Sequence, residues 1–267
     1  MRRVMHRYFR LFPSALPAAL ALALGVALAI APAPAKAESA QAATPGSGTK
    51  AVIELFTSQG CSACPPADAF LNELSTHDDL IVLSLPVDYW DYLGWKDTLA
   101  QPENTARQRA YAAVRGDGKV YTPQMVVNGH GHYVGSNRHK ISSLLATAHL
   151  PVAVSLSRTH KRLNVEIGAG TLPKDGMVTV RLVTFLKKVE VPIRSGENRG
   201  RTLTYRNVVL DNEPIGMWDG KAMKLALPTE AVMEGPGKGC AIILQLESDK
   251  GPGRILGAGT LRAEAQG

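Results

Sequence analysis

Ala51-Val52-Ile53-Glu54-Leu55-Phe56-Thr57, followed two residues later by Gly60-Cys61-Ser62-Ala63-Cys64, is the stretch from which the rest of the chain is read. The nearly continuous apolar run is the pattern of a strand buried on both faces of a sheet. Two cysteines separated by two residues, leaving that strand and entering a helix, bring their sulfurs together across one turn. A helix N-terminus stabilises a thiolate on the first of them. The candidate chemistry is therefore thiol–disulfide exchange at Cys61 and Cys64.

Downstream, Ala67, Phe70, Leu71 and Leu74 fall on one face of a helix, and Leu80 to Leu85 reads as a second buried strand. Pro102 opens a further helix and Gly116 closes it, with Ala106, Ala110 and Ala113 on its apolar face. Pro123 to Val127 and His132 to Val134 flank Asn128-Gly129, a hairpin signal with a loop somewhat longer than two residues. Ile141, Leu144, Leu145 and Ala148 mark a last helix. The expected order over residues 50–150 is β-α-β-α-β-β-α, a domain of the α/β class.

That order, the Cys61-x-x-Cys64 pair after the first strand, and Thr122-Pro123 before the third strand resemble the thioredoxin fold. The resemblance implies that Cys61 is the exposed attacking thiol, Cys64 the resolving thiol, and Pro123 a cis-proline packed against the pair. Ser62-Ala63 is neither the Gly-Pro of reducing thioredoxins nor the Pro-His of strong oxidants. Three motifs sharpen the likeness: Glu54 to Cys61 with Pro65-Pro66-Ala67-Asp68, Val87 to Trp95, and Tyr121 to Gly129. With them the mature chain resembles DUF1223, a family of exported bacterial thioredoxin-like proteins of unknown function.

Several residues invite a role. Pro65 and Pro66 remove backbone donors and disfavour helical geometry at Cys64, so the helix is expected to start at Pro65 or Pro66 with the cysteines in the turn before it. Glu54 interrupts an apolar strand; buried near the pair it would accept the proton of Cys64, whereas at a sheet edge it would be solvated. Asp88 to Trp95 lies where sheet-edge sites form, and its aromatics would make either a peptide-binding wall near Cys61 or a packed insertion. His130 and His132 lack the usual zinc spacing and read as a solvated turn.

From residue 151 the period changes to two. Val152 to Leu156, Leu163 to Ile167, Val178 to Leu182, Thr202 to Val209, Met223 to Leu227 and Cys240 to Leu246 are strand-like, suggesting an all-β, sandwich-like domain over 151–267. No helix-length pattern is evident there. Ser195 to Arg201 is polar, basic and glycine-containing. It reads as a solvated hairpin, with a reach toward the cysteine site as the alternative. Cys240 opens an apolar strand and reads as a small buried thiol.

Arg2, Arg3, Arg7 and Arg10, then Ala18 to Ala31, then Ala35-Lys36-Ala37, form the three parts of an export signal over residues 1–37. Residues 38–49 read as a flexible linker. Without the leader 25 basic residues face 23 acidic ones, so charge gives no reason to invoke nucleic acid, and no membrane association is expected after signal cleavage. No phosphate loop, nucleotide fingerprint or hydrolase triad stands out, and no cofactor is expected. The expectation is a periplasmic or secreted thiol–disulfide oxidoreductase acting on protein thiols or disulfides, with an unidentified redox partner. Two alternatives stand beside it. In one, Cys61–Cys64 merely staples a binding or structural protein; in the other, the two thiolates carry Cu(I) or another soft metal.

Overall fold

The structure, a computed structural model, describes residues 48–261 apart from 175 and 234. The leader expected over 1–37, and nearly all of the linker expected over 38–49, lie outside the described residues.

Strand β1 (Ala51–Thr57) is buried along its whole length, because both faces of the sheet are covered there. It pairs in parallel with β2 (Leu80–Pro86), reached through helix α1 (Pro65–Leu74), and antiparallel with β3 (Gln124–Val127). Asn128 and Gly129, both at positive φ, turn β3 into β4 (Gly131–Val134). Helix α2 (Pro102–Arg115) begins at its proline and ends on left-handed Gly116; α3 (Arg138–Ala146) follows β4. The β-α-β-α-β-β-α order read from the sequence is thus present, with a 3₁₀ turn at Asp91–Leu93 added.

Side chains alternate across β1, and the alternation sorts its neighbours. Ile53 and Leu55 pack with Phe70, Leu71, Ile141 and Leu145 beneath α1 and α3. Val52 and Phe56 pack on the opposite face with Tyr111 of α2, Ile243 and Ile255.

The remaining strands are β5 (Val152–Arg158), β6 (Arg162–Ile167), β7 (Met177–Pro192), β8 (Thr202–Trp218), β9 (Met223–Pro228), β10 (Lys238–Ser248) and β11 (Gly251–Thr260). Strands from both parts of the chain join one eleven-stranded sheet, β4-β3-β1-β2-β8-β7-β10-β11-β5-β6-β9, giving a mixed α/β fold dominated by that sheet. The seam is a short parallel meeting of β2 and β8 at Ser84 and Val208. It is reinforced by the Ser84 hydroxyl donating to the Arg206 carbonyl and the Asn207 amide donating to the Val82 carbonyl, both at 2.8 Å.

Three features depart from the sequence reading. A short helix, α4 (Thr229–Met233), lies where no helix is expected. Strands β7 and β8 are far longer than the expected runs, at 16 and 17 residues. Register shifts at Val180/Arg181 and Thr184/Phe185 interrupt the ladder without ending it, and the charged stretch Lys187-Lys188-Val189-Glu190 hides its outer half from a hydrophobic pattern. Finally, the glycine-rich β11 is a strand because its backbone must come close to β5. A Cβ on Gly257 would lie 2.6 Å from the Val152 carbonyl oxygen, and one on Gly259 2.5 Å from that of Val154.

Candidate functional site at the end of strand β1

The turn leaving β1 is closed by its own backbone: Cys61 N–H donates to the Ser58 carbonyl and Cys64 N–H to the Cys61 carbonyl, each at 3.2 Å. Cys61 and Cys64 form a disulfide with Cα atoms 5.4 Å apart. Helix α1 starts at Pro65 with Cys64 at its N-cap, as the two prolines require. Proline was expected to push Cys64 out of helical geometry. Instead Cys64 is right-handed helical (φ −78°, ψ −36°), held by the bridge and by its carbonyl, which accepts from Ala67 and Asp68 N–H. Ser62 and Ala63 face solvent, but the sulfur-bearing residues do not: Cys61 is 2% exposed and Cys64 0%. The resemblance implied an exposed Cys61; the neighbouring segments cover it.

The Thr122–Pro123 bond is cis. Pro123 stands one residue beyond the last β1–β3 pair, Phe56 and Gln124, and so beside the strand end from which the cysteine turn departs.

Glu54 is not part of this site. By the alternation of β1 it faces α2, opposite to α1. There its carboxylate accepts from Arg107 Nε at 2.6 Å and from the Tyr111 hydroxyl at 2.5 Å. Arg107 also donates to Tyr111 and Gln245, and Gln245 donates to Tyr111, so every charge in this buried group is matched. Glu54 is neither solvated at an edge nor placed to take a proton from Cys64.

A buried acid that sequence reasoning left unassigned is Asp68, whose backbone N–H donates to the Cys64 carbonyl at 3.1 Å. It lies four residues after Cys64, on the same helix face, and is 4% exposed. Neither of its carboxyl oxygens has a well-aligned hydrogen-bond partner among the described residues, and the same holds for Thr57 Oγ1 and the Tyr205 hydroxyl. Burial pushes the Asp68 carboxyl up to about 8, with the Thr57 hydroxyl pulling against it and the Asp97 charge adding to it. Burial, and then the charges of Asp68 and Asp97, likewise push the Tyr205 phenol up. An acid at such a position in a helix opening Pro-Pro-x-Asp is the sequence signal that could have found it.

The segment after β2 packs against the turn. Asp97 accepts from Gln59 N–H at 2.7 Å and from Leu99 N–H at 2.8 Å; burial raises its carboxyl above the usual range. The Trp95 indole N–H donates to the Gln59 side chain at 2.8 Å, and Trp90 lies against Gly60. Trp90 and Trp95 of the aromatic stretch therefore pack against the turn, as in the packed-insertion reading.

A third element comes from far along the chain. The tip of the β7–β8 hairpin, Ile193–Arg201, lies over the turn. The Asn198 carboxamide, 1% exposed, donates to the carbonyls of Gln59 and Cys61, both at 2.9 Å. Glu197 accepts from Ser62 N–H at 3.3 Å, and the Ser195 hydroxyl donates to the Gly94 carbonyl at 2.7 Å. The loop read as a solvated hairpin is a hairpin tip, and it reaches the cysteine site.

Other singled-out residues lie elsewhere. His130 is in the β3–β4 turn, where Asn128 pairs with Val52, at the opposite end of β1 from the cysteines. His132 shares its Nδ1 with the Tyr121 hydroxyl at 2.9 Å, and burial lowers its pKa. Cys240 is buried in β10 among Leu182, Ile242 and Leu163, and burial pushes its thiol up to about 11.

A family model described as "Protein of unknown function (DUF1223)" matches residues 52–245. No curated protein matches. Among solved structures, a structural-genomics crystal structure of a protein from Agrobacterium tumefaciens is 36% identical, with a TM-score of 0.72, covering 83% of this chain and 98% of that one. HBP35 of Porphyromonas gingivalis, 12% identical with a TM-score of 0.52 over 81% of this chain and 76% of that one, shares the fold alone.

Proposed function

The chain belongs to the DUF1223 family, and we propose that it is an exported thiol–disulfide oxidoreductase built on a thioredoxin-like half followed by a β-rich half. The observation that carries this reading is the buried carboxyl of Asp68, faced by the Thr57 hydroxyl but by no cation among the described residues, one turn after the Cys61–Cys64 bridge. A buried acid without a charged partner is costly to keep unless something uses its proton. Support comes also from the helix start at Pro65 and from Pro123 beside the same strand end. The export part rests on the signal pattern of residues 1–37, and N-terminal sequencing of the mature protein tests it.

In the exchange a partner thiolate attacks Cys61 Sγ and forms a mixed disulfide. The Cys61–Cys64 bond breaks, and Cys64 leaves as a thiolate that takes the Asp68 carboxyl proton. A second partner thiolate then attacks the mixed disulfide and releases Cys61 as a thiolate. The partner gains a disulfide, and this chain holds the two electrons. Run backwards, Asp68 carboxylate takes the Cys64 proton as Cys64 attacks, and the partner is reduced. Direction follows the reduction potentials of the pair and its partners.

The test is mixed-disulfide trapping with Cys64→Ser in extracts of the exported compartment, together with the Cys61–Cys64 potential against glutathione. Trapped proteins and a potential above about −300 mV support exchange. No adduct and a lower potential favour the second reading, a non-catalytic staple. One observation speaks for that staple: the covered Cys61 sulfur.

A further inference from the structure

We infer that Ile193–Arg201 is a strap that closes the face from which Cys61 is attacked, and that the bridge reacts only when Asn198 is withdrawn. The inference deepens the exchange reading, on which its biological meaning rests.

The strap is built as one piece. Ile193 N–H donates to the Arg201 carbonyl and Gly200 N–H to the Ile193 carbonyl, each at 2.8 Å, closing the tip on itself. Gly196 and Gly200 take positive φ, +76° and +83°, which lets the chain reverse so tightly. Arg201 donates to the Asn198 side-chain oxygen at 3.3 Å, turning the NH₂ group toward the Gln59 and Cys61 carbonyls. Behind the tip, Val191, Ile193, Leu203, Tyr205 and Val208 form a small core with Trp95 and Leu99. The arm therefore has an anchorage separate from its contact with the cysteine turn.

What holds the tip down is slight. Arg194, Gly196, Glu197, Arg199, Gly200 and Arg201 are exposed, so Asn198 is the one polar side chain of the tip that is buried. Three side chains, Ser195, Glu197 and Asn198, make its hydrogen bonds to the cysteine turn and to Gly94. Lifting residues 194–201 while Ile193 stays in that small core exposes little apolar surface, so the opening belongs with local fluctuations rather than with global unfolding. The Gln59 and Cys61 carbonyls that Asn198 vacates then become free to accept from the N–H groups of an incoming polypeptide.

The experiment uses the oxidised mature chain and dithiothreitol, with free thiols counted by alkylation and mass spectrometry. It needs no physiological partner. Asn198→Ala, with its fold checked by circular dichroism, should be reduced about tenfold faster than wild type, and Glu197→Gln should show a smaller gain. Leu163→Ala, which loosens the distant core, should leave the rate unchanged. Hydrogen exchange of wild type adds a variant-free measurement: peptides spanning 57–64 and 193–201 should open together, well before β10. Equal rates for wild type and Asn198→Ala, or equal acceleration by Leu163→Ala, or exchange of 193–201 only on global unfolding, would overturn the strap. A faster Asn198→Ala with no trapped partner would sink the exchange reading and leave the strap standing.

Discussion

Arg107 Nε stands 2.6 Å from Glu54 Oε1, with the Glu54 side chain 1% exposed and the Arg107 side chain 10%, on the sheet face opposite to the cysteines. Coulomb attraction there acts with little screening, but each ion has given up its hydration. Replacing one partner strands the other. Glu54→Gln is expected to destabilise the protein by about 3–5 kcal/mol in urea unfolding. The dithiothreitol reactivity of the folded fraction should not change. If reactivity falls in step with stability, Glu54 has a part in the cysteine chemistry after all.

Asp68 gives the protein a pH dependence of defined sign. Its carboxyl rises from the ordinary 3.8 to about 8 on folding, so between those values the native state binds more protons than the unfolded state. Stability is expected to fall as pH rises from about 4 to about 8. Asp68→Asn should flatten the profile and raise the urea midpoint at pH 8. The same variant should slow thiol–disulfide exchange roughly 10²-fold, the usual worth of one proton-transfer group. A profile unchanged by the substitution would remove Asp68 from both arguments.

Gly257 and Gly259 let β11 lie against β5. Alanine at either would place a methyl group within 2.6 Å of a carbonyl oxygen. The backbone on one side must move. We expect about 1–3 kcal/mol of destabilisation for each, measured by chemical unfolding. Gly216, around which no atom lies within 4 Å of such a methyl, should tolerate alanine far better.

Cys240 should behave as an inert core thiol. Iodoacetamide at pH 8 is expected to leave it unmodified in the native protein and to label it once the protein is unfolded, because burial holds the thiol up to about 11. Native labelling at the rate of a free thiol would place Cys240 in contact with solvent and reopen its reading.

The parts legible in the sequence are those set by neighbours along the chain. Cys61, Cys64 and the helix start at Pro65 follow from spacing and from proline's missing donor, and the β-α-β-α-β-β-α order follows from hydrophobic periods. What was not legible depends on which face of an element a residue occupies, or on contacts spanning much of the chain. Glu54 and Asp68 are both acids in buried elements; the parity of β1 sends Glu54 to Arg107, while the four-residue spacing from Cys64 along α1 keeps Asp68 near the bridge. The Asn198 contact spans 137 residues, so nothing local announces it. Strand β11 is hidden by its glycines, whose lack of side chains erases the alternation that marks a strand.

The meeting of β2 with β8 at Ser84 and Val208 bears on how the chain is divided for experiment or design. A fragment ending near residue 150 would keep both cysteines yet bare the flank of β2, an unpaired strand edge that invites intermolecular pairing. It would also shed Asn198. Such a fragment's behaviour toward thiols would describe a differently guarded object, so the portion carrying the cysteines is not a detachable cassette.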